Sequence, residues 1–253
     1  MHKGTIIMRR TDTSAMSDRR TLFQVSLLQA LCQGDYEGHL PISELKRHGD
    51  IGLGTFEGLD GELIMLDGIV YRASADGSVS AVEDDSTPFA CVSFMGEDQS
   101  FEITASSFSE FSEKMDGILS GLGMNSPYFV KIHSRFPSML LRSVPRQSGR
   151  TPLSKVVAEQ QVTWSYKDIE GTVVGLFCPS FMSALNNHGW HLHFISDDKK
   201  VGGHVLDLSM DGSTCQICRM YSLSILLPGT SGFQSKDLGS DRTEEIKRIE
   251  SIR

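Results

Sequence analysis

The chain has 253 residues, 39% of them apolar and 22% charged, which is enough to bury a core without staples. A formal net charge of -8, with no basic run interleaved with aromatics, argues against a nucleic-acid partner. The five cysteines, Cys32, Cys91, Cys178, Cys215 and Cys218, have no framework spacing, which points to a reducing compartment.

Residues 1–20 carry Arg9, Arg10, Arg19 and Arg20 with little apolar content and read as a disordered tail. The stretch from Leu22 to Leu31 looks like a short export segment, but Gln24, Ser26 and Gln29 interrupt it and bulky Leu31 spoils a cleavage site. The spacing of Leu22, Val25, Leu28 and Leu31 predicts an amphipathic helix, so the expected location is cytoplasmic. No apolar run is long enough to span a bilayer, and no membrane partner is expected.

Short apolar runs at Asp50-Ile-Gly-Leu-Gly-Thr55, Gly61 to Gly68, Ile69 to Ala73 and Pro88 to Phe94 predict strands, with Asp67-Gly68 as a hairpin turn. Phe108 to Leu122 has helical spacing, and strands follow at Tyr128 to Ile132 and Met139 to Val144. The polar, proline-bracketed connection Pro145 to Pro152 marks a boundary between an N-terminal sheet domain with helices, 21–148, and a C-terminal β domain, 149–253. In the second, a short helix over Leu153 to Glu159 precedes strands at Val162 to Tyr166, Gly171 to Phe177, a hairpin near residue 200, and Cys215 to Leu227. The expected class is a sheet-rich α+β fold of two domains, each on a mixed or antiparallel sheet. Cys215-x-x-Cys218 lies within a strand, where residues three apart face opposite ways, so it is not read as a redox or zinc pair.

The chemistry concentrates in Gly189-Trp-His-Leu-His-Phe-Ile-Ser-Asp-Asp-Lys-Lys-Val-Gly-Gly-His-Val-Leu-Asp207. Histidines two apart share one face of a strand, so His191 and His193 point together. An antiparallel hairpin closed between Ser196 and Gly203 returns His204 to that same face. Three imidazoles without a cysteine make the composition of a catalytic zinc site with an open position, and Asp197, Asp198 and Asp207 are candidates to hold the ring N–H groups. Two other readings use the same residues. In a cupin-like oxygenase or isomerase, His191, His193 and the acidic Asp197 would bind iron or manganese; a non-catalytic metal-binding module would need the histidines alone.

The blocks His48-Gly-Asp-Ile-Gly-Leu-Gly-Thr-Phe56, Leu59-Asp-Gly-Glu-Leu-Ile64, Val144-Pro-Arg-Gln147 and Gly171-Thr-Val-Val-Gly175, together with the histidine hairpin, stand in an order and spacing that resemble alpha-acetolactate decarboxylase, from about Leu22 to Glu250. The resemblance implies a homodimer that uses Zn2+ to convert 2-acetolactate to acetoin and carbon dioxide through a metal-stabilised enediolate protonated on one face. It also implies that Glu62, Arg142 and Glu250 join His191, His193 and His204. In that assignment Arg142 binds the substrate carboxylate and then the enediolate, Glu62 handles the proton, and Glu250 contacts the metal or its water. Thr55 is a candidate to hold a substrate oxygen. The reaction is reasonable without an organic cofactor, since a ketone beta to the carboxylate accepts the electrons left by departing carbon dioxide. The stretch from Gly123 to Leu140 follows the family pattern loosely, and the apolar run Ile246, Ile249 and Ile252 is what anchors the tail that carries Glu250.

Overall fold

The computed structural model describes residues 20–96 and 98–250, the side chains of Thr243, Lys247 and Glu250 excepted. The tail expected over residues 1–20, apart from Arg20, lies outside the described residues, as does Ile252.

The helix expected from Leu22 to Leu31 is instead a strand, β1 (Thr21–Val25), then a turn at Ser26 (φ 59°), then a short helix, α1 (Leu28–Cys32). Pairing overrides the three-residue spacing, because β1 is hydrogen-bonded on both edges and its residues 22–25 are buried whichever face they occupy. Gln24 is reconciled with burial by donating to the carbonyls of Ser26 and Leu185 and accepting from Asn186.

The first sheet grows from the expected short strands. After β2 (Leu40–Pro41) and α2 (Ile42–Leu45) come β3 (Ile51–Thr55), β4 (Glu62–Leu66), β5 (Ile69–Ala73), β6 (Val79–Ala81), β7 (Ser86–Thr87) and β8 (Ala90–Ser93). The β4–β5 hairpin turns at Asp67 (φ 52°) and Gly68 (φ 77°), the two left-handed positions that a tight hairpin needs. The strand β9 (Gln99–Ala105) and the helix α3 (Phe108–Leu122) follow, with Ser107 accepting from the Glu110 amide as N-cap.

Two very long strands come next, β10 (Tyr128–Ser143) and β11 (Val162–Cys178), with α4 (Leu153–Gln160) between them. Each was expected as two pieces. They pair antiparallel along nearly their whole length, and only Pro137, which has no N–H to give, and Asp168 (φ 52°) drop out of the ladder. The hairpin β12 (Gly189–Ser196) and β13 (Gly202–Arg219) completes the second sheet. A last strand, β14 (Ser222–Leu226), returns to lie parallel to β1, and the helices α5 (Ser231–Gln234) and α6 (Thr243–Glu250) end the described chain.

Strand order in the first sheet is β14-β1-β8-β3-β4-β5-β6, mixed because β14 and β1 run parallel. The second is β10-β11-β12-β13-β9, antiparallel, and β10 also pairs with β13, so four strands close on themselves. This is the sheet-rich α+β class expected. Strands from both sides of residues 148 and 149 share the second sheet, and β14 crosses back to the first.

Three apolar clusters follow from this layering. One lies between the sheets and combines Leu53 and Ile64 with Val174 and Leu176, and Leu31 of α1 with Ile246 and Ile249 of α6. The second fills the closed sheet and takes in the Phe111, Met115 and Leu119 stripe of α3. The third covers the far face of the first sheet, where Ile42 and Leu45 of α2 pack. Cys215 falls in the second cluster and Cys218 in the first, opposite faces of β13 as strand spacing requires.

Close sheet packing is enforced by glycine at Gly52, where a Cβ would stand 2.5 Å from both the Cys91 oxygen and Val92 Cγ1. Gly52→Ala is expected to cost about 1–3 kcal/mol through forced displacement. Gly117→Ala, on the exposed face of α3 with nothing within 4 Å, should instead stabilise by about 0.5–1 kcal/mol. Thermal unfolding of the two variants checks the pair; a Gly52→Ala protein as stable as the parent would contradict the packing described.

Candidate metal centre

Strand register builds the site. His193 on β12 lies directly opposite His204 on β13, and His204 lies opposite Arg142 on β10, so three side chains stand in one row on one face. His191, two residues before His193, shares that face, where the partners of the two on β11 are Leu176 and Val174 of the inter-sheet core. The hairpin between them turns at Lys199 (φ 57°) and is held by Ser196 and Asp198, which accept from the amides of Lys200 and Val201. Gly202 and Gly203 are already in the strand. A Cβ on Gly203 would stand 2.7 Å from the Arg142 carbonyl oxygen, so the pair lets β13 pass close to its neighbours.

The three histidines offer one ligand atom each, all within 4.8 Å of one another. His191 Nε2 is 3.1 Å from His193 Nε2 and 3.0 Å from His204 Nδ1. Tetrahedral nitrogen ligands about 2.0–2.1 Å from a zinc ion stand about 3.3 Å apart, close to the two His191 spacings, while the His193–His204 pair lies within 4.8 Å. His193 Nδ1 donates to the main-chain carbonyl of Leu63 on β4 at 2.8 Å, which leaves the Nε2 lone pair facing the cluster. Burial, with the nearby Arg142 charge, pushes His191 down to about 3, and burial holds His193 well below the ordinary imidazole value. Neutral imidazoles aimed at one point are what a cation requires.

The first sheet contributes the other wall. Thr55 and Glu62 are cross-strand partners on β3 and β4, and Glu62 Oε2 reaches to 3.5 Å from His193 Nε2. Thr55 Oγ1 donates to the Gly61 carbonyl at 2.7 Å, so toward the cavity its oxygen is available as an acceptor. Arg142, only 5% exposed, donates through Nη1 to the carbonyl of Ile249 at 2.6 Å, and its Nε–H has no hydrogen-bond partner among the described residues. Thr55, Glu62, Arg142, His191 and His204 line one cavity whose remaining wall is apolar, with Leu28 and Leu31 from α1, Leu153 and Val157 from α4, and Leu59, Phe89 and Val144.

The side chain of Glu250 lies outside the described residues, while Ile246 and Ile249 of its helix are buried in the inter-sheet core. The carboxylates expected to steady the ring N–H groups do other work. Asp197 pairs with exposed His133 at 3.1 Å, Asp198 closes the hairpin turn, and Asp207 accepts from the Phe108 amide at the start of α3. With Asp197 engaged there, the acidic member of a cupin-like set is not beside the histidines. The Leu63 carbonyl that takes the role is main chain, and no residue type advertises it. The α1 wall was hidden for another reason: Leu28 and Leu31 read as one face of a longer helix.

A cluster of three histidines able to hold one cation, enclosed between two sheets, makes this an α+β protein with a candidate metal site. The chain belongs to the alpha-acetolactate decarboxylase family, whose model matches residues 22–240. It is 37% identical over 232 residues to an alpha-acetolactate decarboxylase of Methanosarcina mazei, covering 90% of this chain and 80% of that one. A relative of the same name from Lactococcus lactis subsp. cremoris is also 37% identical, over 84% of this chain and 90% of its own. The crystal structure of alpha-acetolactate decarboxylase from Bacillus subtilis strain 168 superposes with a TM-score of 0.87 at 30% identity, covering 92% of this chain and 100% of that one.

Lowered histidine values fix a sign for stability. Unfolded histidine takes up its proton near pH 6.5, whereas folded His191 stays neutral down to about 3 and His193 is likewise depressed. The unfolded state of the metal-free protein therefore binds more protons in that window, and stability falls as pH drops from about 6.5 toward about 3. Above pH 6.5 these groups contribute no slope. Denaturant midpoints of metal-free protein at pH 7.5 and pH 5 should show the loss, and a His193→Gln variant should show less of it. Equal losses in the two proteins would contradict the assignment.

Proposed function

We propose that the chain decarboxylates 2-acetolactate to acetoin and carbon dioxide with Zn2+ held by His191, His193 and His204. What carries the reading is the convergence of a buried guanidinium and a carboxylate from two different sheets on the cavity that His191 and His204 line. Zinc bound there would act as a Lewis acid toward the ketone and hydroxyl oxygens of the substrate.

The residues of the chain supply the rest. Arg142 meets the substrate carboxylate with the Nε–H that has no partner among the described residues, and the surrounding apolar wall strengthens that contact by excluding water. The carbon–carbon bond to the carboxylate then breaks, carbon dioxide leaves, and the electron pair passes to the ketone oxygen. Arg142 remains beside the resulting enediolate. Glu62, on the opposite sheet, hands a proton to the carbon that lost the carboxylate, and its fixed position confines delivery to one face; a solvent proton restores it. Thr55, whose own hydrogen is committed to Gly61, accepts from the substrate hydroxyl. By the family likeness, Glu250 would contact the metal or its water.

We also propose, from the family likeness, a homodimer acting on this small molecule. A cytoplasmic location is supported by five cysteines without framework spacing, and the net charge of -8 argues against a nucleic-acid partner; among the described residues no helix is long and apolar enough to cross a membrane.

Acetoin release from racemic acetolactate by the zinc-loaded protein tests the activity; none above background would overturn it. Arg142→Lys should lower the decarboxylation rate about tenfold or more, some 1.4 kcal/mol in the barrier, because an ammonium replaces a planar fork with a point charge. Parental turnover in that variant, with zinc retained, would remove Arg142 from the substrate.

A further inference from the structure

The hydrogen bond between Arg142 and Ile249 joins a proposed substrate-binding group to the far end of the chain. Ile249 lies in the last described turn of α6, and a main-chain carbonyl has two lone pairs, one of which can be offered to a side chain. The guanidinium donates to that carbonyl through Nη1 at 2.6 Å in a buried setting. On its other side Arg142 is fixed by β10, opposite His204.

α6 is itself tied down independently of Arg142. Ile246 and Ile249 are 2% and 3% exposed in the inter-sheet core, Glu245 accepts from Ser154 of α4 at 2.9 Å, and Arg242 pairs with Glu245 at 2.9 Å. A long, flexible side chain is thus held at its tip by an element whose own position is set by packing. A guanidinium with one nitrogen so engaged keeps its plane, and its Nε–H keeps its direction.

We infer that α6 is a positioning element for the reaction, the Ile249 carbonyl aiming Arg142 at the substrate carboxylate, with Ile246 the anchor that sets the carbonyl in place. This rests on the reading of Arg142 given above. It is a role for the tail separate from the Glu250 carboxylate. By linkage, whatever fills the anion position of Arg142 also tightens α6.

The test uses zinc-loaded, full-length protein. Amide exchange over residues 246–250 should speed up about tenfold or more in Arg142→Met, as expected for loss of a charge-assisted hydrogen bond, with exchange in β3, β4 and β5 unchanged. Ile246→Ala should raise KM for acetolactate about fivefold or more, and Ile246→Val should restore most of it. In an Arg142→Met background the same Ile246→Ala change should add less than about twofold, since nothing is left to aim. Equal KM factors in both backgrounds would overturn the inference by making Ile246 merely structural. Collapsed turnover in Arg142→Met with unchanged exchange over 246–250 overturns the aiming contact alone. Parental turnover in Arg142→Met overturns the inference together with the role of Arg142 on which it depends.

Discussion

One hydrogen bond holds the centre of this molecule in register: His193 Nδ1 to the main-chain carbonyl of Leu63 at 2.8 Å. It crosses from the second sheet to the first in a fully buried setting, and it does two things at once. It selects the imidazole tautomer whose Nε2 faces the other histidines, and it places β4 against β12 so that Glu62, the residue before Leu63, arrives 3.5 Å from that same Nε2. A side-chain carboxylate could have steadied the ring, but it would have added a buried charge. A carbonyl in the middle of a strand has a second lone pair to offer after its ladder bond is made, at no cost in charge.

Electrostatics in the cavity follow from that economy. Burial makes protonated imidazole costly, and the Arg142 cation makes it costlier still, so His191 and His193 are neutral where free histidine would be partly charged. The same low-dielectric surroundings favour an anion beside Arg142, and the neutral Ile249 carbonyl supplies only part of that stabilisation. A small anionic substrate that carries oxygens for a cation on one side and a carboxylate for Arg142 on the other satisfies both demands together. The apolar wall from Leu28, Leu31, Leu153 and Val157 suits the methyl groups that remain.

The histidine hairpin was legible because period-two alternation is a strong constraint: a strand carrying His191 and His193 on one face, then an even-length return, leaves His204 little choice of side. The glycine-rich β3 and the Asp67-Gly68 turn were legible for similar local reasons. What the residues did not reveal were matters of pairing. Leu22 to Leu31 has helical spacing, yet its first half is a strand because β8 and β14 are available on either edge, and β14 comes from the far end of the chain. Pro137 and Asp168 look like strand breakers, yet each stands opposite the other in the ladder, so one irregularity absorbs both. The aspartates near the hairpin had the right chemistry for a supporting role and the wrong positions, since Asp197 and Asp198 sit in the turn at the far end from the cluster. Glu62 and Arg142 became recognisable through the family resemblance; by themselves they are a turn carboxylate and a strand cation. Closure of β10 on β13 is what puts Arg142 beside His204.

X-ray absorption at the zinc edge of the metal-reconstituted protein addresses the central claim most directly. The account predicts one zinc per chain with three imidazole nitrogens at about 2.0–2.1 Å and no sulfur, and loss of that signature in His193→Ala. A sulfur shell, or a zinc environment indifferent to His193, would contradict it.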